Sequence, residues 1–334
     1  MIRVSSVNKP SIPCILSMTE SDFPRIIENE DGLDDERQLF DWAKSHEVRL
    51  KALLAEAGAI LFRGFPVTTA AHFDAFASAF SYDEFTYADS LSNAVRVNLT
   101  PRVFTANEAP AEVEIYLHHE MAQTPISPEK LFFCCLQPAE SGGATPLCRS
   151  DWLWSEFQAQ HPPWAEQFRA LGLRYRMEMP AEDNAGSGQG RSWASTLSAQ
   201  TRAAAEEKLI KLGYRWQWQQ DGGLVTQTPV LPAVKRLSGG AESFYNQVLA
   251  ANLGWQSARR EGQPPVTFGD ESLIPSAAIE VLIELAKRFT QPLAWQKGDI
   301  ALVDNHRVMH GRYPYRGNTN RQVVVCLARE AAND

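Results

Sequence analysis

Hydrophobic and polar positions change their spacing several times in the first third of the chain. From Asp35 to Ala57 apolar residues recur every three or four positions, which predicts an amphipathic helix that ends at Gly58. The segment from Ala59 to Phe65 is mainly apolar and predicts a strand that enters the core. Helical spacing then returns from Thr68 to Phe80 and predicts a second helix, with Thr68 as its cap.

Further strands are predicted in both halves of the chain. Val95 to Leu99 alternates between apolar and polar residues like a strand, and Ile115 to Glu120 and Lys130 to Leu136 are predicted to form two more strands. After Gly298 the chain returns to strands, and the run from Asn320 to Leu327 is rich in β-branched residues. Strands from both ends of the chain are therefore available to one core.

The segment between Ser150 and Pro292 has a mixed pattern. It predicts, in order, a helix opening with a cap at Ser150, a loop over 181–192, a helix over 198–212, a strand over 215–219 and a helix over 276–288. The loop holds Gly186, Gly188 and Gly190, but no apolar helix follows them after a buried strand. We therefore reject a nucleotide-binding interpretation of these glycines.

This order of elements predicts a single domain over residues 1–334 that is mostly β with helical decoration. The predicted core is a double-stranded β-helix, or jelly roll, from about 58 to 150 and about 293 to 330, because such a barrel brings side chains from early and late strands into one mouth. Helices precede the core, and the mixed insertion from about 150 to 292 is predicted to form a lid over that mouth.

Composition and charge narrow the possible partners. Hydrophobic residues make up 44% of the 334 and charged residues 22%, as in an ordinary soluble globular protein. The net charge of −8 argues against a nucleic-acid or anionic-membrane partner. The N-terminus has no continuous apolar segment, and no apolar stretch reaches the length of a membrane span. We expect a cytoplasmic protein, and the sequence leaves its oligomeric state open.

The cysteines suggest no metal site or disulfide framework. The chain has five, without Cys-x-x-Cys spacing. Cys134, Cys135 and Cys326 lie in apolar, strand-like runs, so we expect buried, reduced thiols.

Two distant segments together supply two imidazoles and a carboxylate. His118 and Glu120 are two residues apart, so on a strand they would project from the same face, and His310 would join them from another strand. Two His and one carboxylate suit an iron(II) that keeps positions open for a co-substrate and O2. His119 is the alternative to His118 as a ligand, and His306 is the alternative to His310.

A second set of residues suits a dicarboxylate. Arg321 lies on the predicted C-terminal strand, where a buried guanidinium is costly unless it is paired, and its planar fork suits a carboxylate. Thr145 follows Gly142 and Gly143, and its hydroxyl could bond a second carboxylate oxygen or satisfy a turn. A dicarboxylate that is bound by iron at one end and by Arg321 at the other would suit both Arg321 and Thr145.

Five separated motifs now resemble one known family in their order and spacing: His118-x-Glu120, Gly-Gly-x-Thr145, Trp295-x-x-Gly298-Asp299, Asp304-Asn305-x-x-x-x-His310 and Arg321. The family is the iron(II)/2-oxoglutarate-dependent dioxygenases of the taurine dioxygenase (TauD/TfdA) superfamily, and the closer likeness is to its clavaminate-synthase-like and syringomycin-type aspartate-hydroxylase branch. The resemblance implies that His118, Glu120 and His310 bind iron(II), that Thr145 and Arg321 bind the 2-oxoglutarate carboxylates, and that O2 is the oxidant.

Two departures from that family are informative. Taurine dioxygenase has a second Arg, for the sulfonate, at the position where this chain has Val325, so the resemblance argues against a sulfonate substrate. The related halogenases lose the carboxylate ligand so that chloride can bind iron. Glu120 is present here, which favours hydroxylation.

The resemblance implies an amino-acid-like substrate, free or tethered to a peptidyl carrier protein, in secondary-metabolite or antibiotic biosynthesis. Candidate substrate-binding residues are Asn246, Arg191 and Arg312; the alternatives are a core-adjacent loop for Asn246, plain surface for Arg191 and an ion pair for Arg312. The alternative activities are desaturation or cyclisation by the same oxidant, and a third possibility is a non-catalytic metal-binding jelly roll.

Overall fold

The computed structural model describes residues 23–86, 91–92, 96–106, 109–183, 190–255, 263–317 and 320–331. The strands of this part of the chain are β1 (Arg25–Glu28), β2 (Ala59–Arg63), β3 (Tyr82–Glu84), β4 (Val103–Thr105), β5 (Ile115–His118), β6 (Lys130–Gln137), β7 (Ser141–Gly142), β8 (Thr145–Arg149), β9 (Leu173–Met179), β10 (Arg215–Trp218), β11 (Leu224–Gln227), β12 (Lys235–Arg236), β13 (Glu242–Ser243), β14 (Val266–Phe268), β15 (Thr290–Leu293), β16 (Ile300–Asp304), β17 (Val308–Arg312), β18 (Tyr315–Arg316) and β19 (Gln322–Glu330). The helices are α1 (Glu36–Ala57), α2 (Ala70–Ser78), α3 (Ser150–Gln160), α4 (Pro162–Leu171), α5 (Trp193–Leu197), α6 (Arg202–Lys211), α7 (Val248–Gly254) and α8 (Ser276–Arg288).

Two sheets combine strands from both ends of the chain. The larger has the order β1-β2-β16-β6-β19-β3, and β4 also pairs with β19. The smaller has the order β15-β8-β17-β5. Early and late strands are neighbours in both sheets, as the jelly-roll prediction requires. The predicted fold class, mostly β with helical decoration, is confirmed.

The larger sheet is buried on both faces. Adjacent residues on its strands point to opposite sides, so Phe132 packs towards α1 and α2 whereas Phe133 packs towards the smaller sheet. This explains why the residues of its central strands form continuous apolar runs in the sequence. Cys134, Cys135 and Cys326 are buried free thiols on these strands, as predicted.

The N-terminal helices follow their capping residues. α1 begins after Asp35, whose carboxylate accepts the N–H of Gln38, and ends at Gly58, which adopts a φ of 78°. The predicted cap of α2 was one residue early. Thr69, not Thr68, caps the helix, because Thr69 has the extended backbone of a cap and its hydroxyl accepts the N–H of His72.

The region between the two core segments contains a sheet of its own, with the order β10-β11-β9-β14. The strand predicted at 215–219 and the helix predicted at 276–288 are present as β10 and α8. The predicted helix over 198–212 is wrong at its start: α6 begins only after Thr201, whose hydroxyl accepts the N–H of Ala204. Gly186 and Gly188 lie outside the described residues.

Two smaller predictions also change. Ser150 does not cap α3, since Arg149 holds the cap position and the Ser150 hydroxyl lies 2.6 Å from that of Ser243. The strand predicted from Val95 is reduced in the described residues to one bridge, between Asn98 and Phe104. Val95 itself lies outside them. None of the helices in the described ranges combines the length and apolar character that a membrane span requires.

Candidate active site

The pairing of β5 with β17 brings two histidines together from opposite ends of the chain. His118 is directly opposite His310, and their ring centroids are 4.4 Å apart. A β-bulge follows His310. The next residue is Gly311, and any larger residue there would place its Cβ against the carbonyl oxygen of Ile115. The glycine therefore permits the close strand approach that places the two rings side by side.

Glu120 lies at the same centre, but a turn positions it and not the predicted strand. β5 ends at His118, so the argument that a strand directs His118 and Glu120 to one face was wrong. Glu120 lies in the turn that follows, and the side chain of Asn305 holds its backbone. The amide oxygen accepts the Glu120 N–H at 2.8 Å, and the amide nitrogen donates to the Glu120 carbonyl at 3.0 Å and to that of Pro128 at 2.8 Å. Met121, the next residue, has a φ of 57°, which turns the chain sharply after the carboxylate.

The donor atoms of these three side chains converge. One nitrogen from each of His118 and His310 and one oxygen of Glu120 lie within 4.8 Å of one another. Glu120 Oε2 is 3.8 Å from His118 Nε2 and 3.4 Å from His310 Nε2. His118 Nδ1 lies 2.8 Å from the Tyr116 carbonyl oxygen and donates to it, which leaves the Nε2 lone pair directed at the centre. This set of two nitrogens and one oxygen fits a divalent iron with open positions.

The protonation states favour a cation at this centre. Burial raises the pKa of Glu120, but the charge of Arg96, followed by the two adjacent histidines, outweighs it and holds that pKa well below its ordinary value. Burial, and then repulsion from His118, lowers the pKa of His310 to about 4. Near neutral pH the centre therefore presents a carboxylate and a neutral imidazole, the forms in which these groups bind metals.

The alternative ligands lie elsewhere. His119 is fully buried, with Nδ1 against the Asn305 carbonyl and Nε2 3.1 Å from that of Phe244, and burial lowers its pKa to about 3. His306 Nε2 lies 2.8 Å from Lys235 Nζ. Both rings are thus occupied by other partners, and the geometry favours His118 and His310.

A cleft opens next to this centre. The polar residues on its wall are Arg96, His118, Thr145, His310, Arg312 and Arg321.

Arg321 and Thr145 face this cleft with donors that suit a carboxylate. Arg321 Nη2 donates to the Gly143 carbonyl at 3.0 Å, and no carboxylate of the described chain forms an ion pair with this guanidinium. Burial, and then repulsion from Arg312, lowers its pKa. The Thr145 hydroxyl accepts the indole N–H of Trp295 at 2.9 Å, which leaves its own hydrogen for another acceptor. A partly buried cation and a hydroxyl donor fit the distal end of a bound diacid.

The three candidate substrate residues have other partners in the structure. Asn246 is buried and bonds the Ala233 carbonyl and the N–H of Val248, which favours the core-loop alternative. Arg191 bonds the carbonyls of Ser92 and Ser195 and is not on the cleft wall.

Arg312 is on the cleft wall, but its guanidinium is largely committed to the protein. It donates to three backbone carbonyls, those of Ala109, Pro110 and Val113. These bonds fix the chain beside the cleft, and no carboxylate of the described residues forms the ion pair that was the alternative prediction.

Arg96 and Asn305 were not predicted as members of the site. Arg96 lies 3.4 Å from Glu120; in the sequence it stands at a polar position of the alternating segment from Val95 to Leu99, which gives no signal of a buried cation. Asp304 and Asn305, as short polar residues, were both expected to fix the turn in which they lie. Asp304 does so by accepting the N–H of His306, whereas the Asn305 side chain holds Glu120.

Comparisons with known proteins identify the family of the chain. Residues 24–327 match the family described as "Taurine catabolism dioxygenase TauD, TfdA family". A clavaminate synthase-like protein of Arabidopsis thaliana is 35% identical over 287 residues, which cover 86% of this chain and 86% of that protein. The dapdiamide synthesis protein DdaC of Enterobacter agglomerans is 26% identical over 290 residues, which cover 82% of this chain and 83% of DdaC.

The fold also matches solved structures. A taurine dioxygenase from Burkholderia xenovorans superimposes with a TM-score of 0.50 at 16% identity, over 86% of this chain and 81% of that one. At that identity the likeness shows a shared fold.

Proposed function

The chain belongs to the TauD/TfdA dioxygenase family, and from this premise we propose that it hydroxylates an unactivated C–H bond of an amino-acid-like substrate. The reaction class follows from the family: the protein is an iron(II)- and 2-oxoglutarate-dependent oxygenase. His118, Glu120 and His310 are the proposed iron ligands, and Arg321 and Thr145 the proposed co-substrate residues. The substrate is either a free amino acid or an aminoacyl group on a peptidyl carrier protein.

One observation carries the choice of hydroxylation: a carboxylate completes the metal centre. Glu120 Oε2 is within 3.4–3.8 Å of both imidazole nitrogens, so it occupies the position that an exchangeable anion would need. Val325 is buried among apolar residues, in agreement with a substrate that carries no sulfonate at this position. The name of DdaC, a dapdiamide synthesis protein, supports a role in secondary metabolism. Location in the cytoplasm remains part of the proposal.

The chain's own residues have three tasks in this reaction. When bound, iron(II) and 2-oxoglutarate supply the oxidant, as O2 converts 2-oxoglutarate to succinate and CO2. Arg321 and Thr145 orient the distal carboxylate. Phe133 and Val323 line the cleft and exclude water from the reacting atoms. Asn305 keeps Glu120 in place through its backbone.

The test is a mass-shift assay on a panel of amino acids, each supplied free and loaded on a carrier protein. The protein is incubated with iron(II), ascorbate and 2-oxoglutarate, and succinate and substrate mass are both measured. His310→Ala is the matched control, because it removes one proposed ligand from the same cleft. A gain of one oxygen with stoichiometric succinate supports the proposal.

Other outcomes reassign the function. Loss of two hydrogens would indicate a desaturase or cyclase with the same oxidant. Iron binding without any succinate, even from uncoupled turnover, would contradict catalysis altogether.

A further inference from the structure

The two oxygens of the Glu120 carboxylate face different partners. Oε2 faces the nitrogens of His118 and His310, at 3.8 and 3.4 Å. Oε1 faces Arg96, whose Nη2 is 3.4 Å away. The carboxylate is therefore divided between the proposed metal position and a guanidinium.

Arg96 is held in this position by its neighbours. Its side chain is only 10% exposed, and Nη1 lies 3.4 Å from the Thr105 carbonyl oxygen. The next residue, Val97, pairs with Thr105 twice: its N–H donates to the Thr105 hydroxyl at 3.0 Å, and its carbonyl accepts the Thr105 N–H at 2.8 Å. Because Thr105 belongs to β4, the position of Arg96 is fixed by the larger sheet.

A carboxylate can bind a metal through one oxygen or through both. This reaction needs two positions for 2-oxoglutarate and one for O2, so an octahedral ion can give the protein only three. If Glu120 used both oxygens, it would take one of the positions that the co-substrate needs. A guanidinium directed at Oε1 opposes that change, because it binds the oxygen that would have to move.

We propose that Arg96 is a positioning residue that keeps Glu120 presenting one oxygen to the metal, so that 2-oxoglutarate can bind. The inference rests on the proposed ligand set. The other two arginines on the cleft wall have different tasks: Arg312 donates to three backbone carbonyls, and Arg321 donates to that of Gly143.

The experiment compares the full-length protein with Arg96→Gln, Arg96→Lys and Arg102→Gln, each loaded with Mn(II), which avoids oxidation of the metal. Arg102 is the matched control, because it is close to Arg96 in the chain but absent from the cleft wall. Its guanidinium forms ion pairs with Asp74 and Glu84. Calorimetry gives the affinities for Mn(II) and for 2-oxoglutarate. Water-proton relaxation reports the exchangeable waters on the metal, and thermal melting reports folding.

We expect Arg96→Gln to bind Mn(II) at least as tightly as wild type, because a positive charge is lost and a second oxygen becomes available. It should relax water protons less and bind 2-oxoglutarate about tenfold more weakly. Arg96→Lys keeps the charge but not the planar guanidinium, so its 2-oxoglutarate affinity should lie between those of wild type and Arg96→Gln. Arg102→Gln should match wild type in water relaxation and in both affinities.

Two results would overturn the inference. In the first, Arg96→Gln and Arg96→Lys keep the wild-type relaxation and 2-oxoglutarate affinity. In the second, either variant loses Mn(II), 2-oxoglutarate and thermal stability together, which would make Arg96 a purely structural residue. His310→Ala tests the ligand set separately: if it still binds Mn(II) like wild type, the proposed metal site has failed, whatever Arg96 does.

Discussion

Trp295 donates its indole N–H to the hydroxyl oxygen of Thr145, at 2.9 Å, across 150 positions of the chain. β15 and β8 pair directly at Thr145, and Trp295 follows β15 by two residues. Because the hydroxyl already accepts this bond, its hydrogen is directed to another acceptor. The indole therefore orients the Thr145 donor towards the cleft, and the Trp295-x-x-Gly298-Asp299 motif gains a physical role.

Trp295→Phe should weaken 2-oxoglutarate binding about fivefold to tenfold, the effect of one neutral hydrogen bond of about 1 kcal/mol. Phe keeps most of the packing, so the iron(II) affinity should not change. Anaerobic calorimetry of the iron(II) protein measures both constants. Trp164→Phe, on α4, is the control for loss of an indole elsewhere. An unchanged 2-oxoglutarate affinity in Trp295→Phe would show that Thr145 does not depend on the indole.

Arg321→Gln should separate co-substrate binding from stability. We expect 2-oxoglutarate affinity to fall about 100-fold, because a charge-assisted, forked contact is worth about 2–3 kcal/mol. The melting temperature without 2-oxoglutarate should stay constant or rise, because Arg321 is partly buried without a carboxylate partner among the described residues. Arg321→Lys keeps the charge without the planar guanidinium, so its 2-oxoglutarate affinity should lie between those of wild type and Arg321→Gln. A large loss of stability with normal 2-oxoglutarate binding would assign Arg321 a structural role instead.

The sequence predicted which residues would form the site, but not always which structural elements position them. The spacing of His118 and Glu120 suggested a shared strand face. In the structure the strand ends at His118, and a turn held by Asn305 carries the carboxylate to the centre. A local period of two cannot reveal this, because the holding residue lies 185 positions away.

Helices and buried strands were predictable because their signals are local. Asp35 and Gly58 bound α1 through capping bonds within one turn of the helix. Asn246 shows the opposite case: the sequence left substrate contact and a core-adjacent loop as alternatives, and in the structure its side chain bonds the backbone of Ala233 and Val248. Only the tertiary structure distinguishes a buried polar residue that binds a ligand from one that binds its own chain.

His118→Ala and His119→Ala should have opposite effects, although the residues are neighbours. His118→Ala should abolish iron(II) binding and succinate formation, with little change in the free energy of unfolding. His119→Ala should keep the iron(II) affinity within about tenfold. It should lower the free energy of unfolding by about 2–4 kcal/mol, because it leaves a cavity and removes the one ring N–H of the neutral imidazole, which can donate to the carbonyl of Asn305 or of Phe244.

Metal titration and urea unfolding of both variants measure these changes. Loss of metal in His119→Ala, together with retention in His118→Ala, would reverse the ligand assignment.

Acid should destabilise the protein partly through His306. Burial, followed by the charges of Lys235 and Lys130, lowers the pKa of His306 to about 2, from 6.5 in the unfolded chain. Between these values the unfolded state binds a proton that the folded state does not bind. The contribution of His306 to the free energy of unfolding is therefore fully present above the unfolded pKa and is lost as the pH falls below it. Between about pH 8 and pH 5 this loss amounts to about 2 kcal/mol.

His306→Gln should remove this contribution while keeping an acceptor for Lys235, which donates to the ring at 2.8 Å. We expect the free energy of unfolding of the variant to fall less steeply from about pH 8 to pH 5 than that of wild type, by an amount on the order of the same 2 kcal/mol. Urea unfolding at both pH values measures the two slopes. The buried His119 is common to both proteins, so the difference isolates His306. Equal slopes would mean that His306 takes up its proton in the folded protein, with Lys235 displaced from its Nε2.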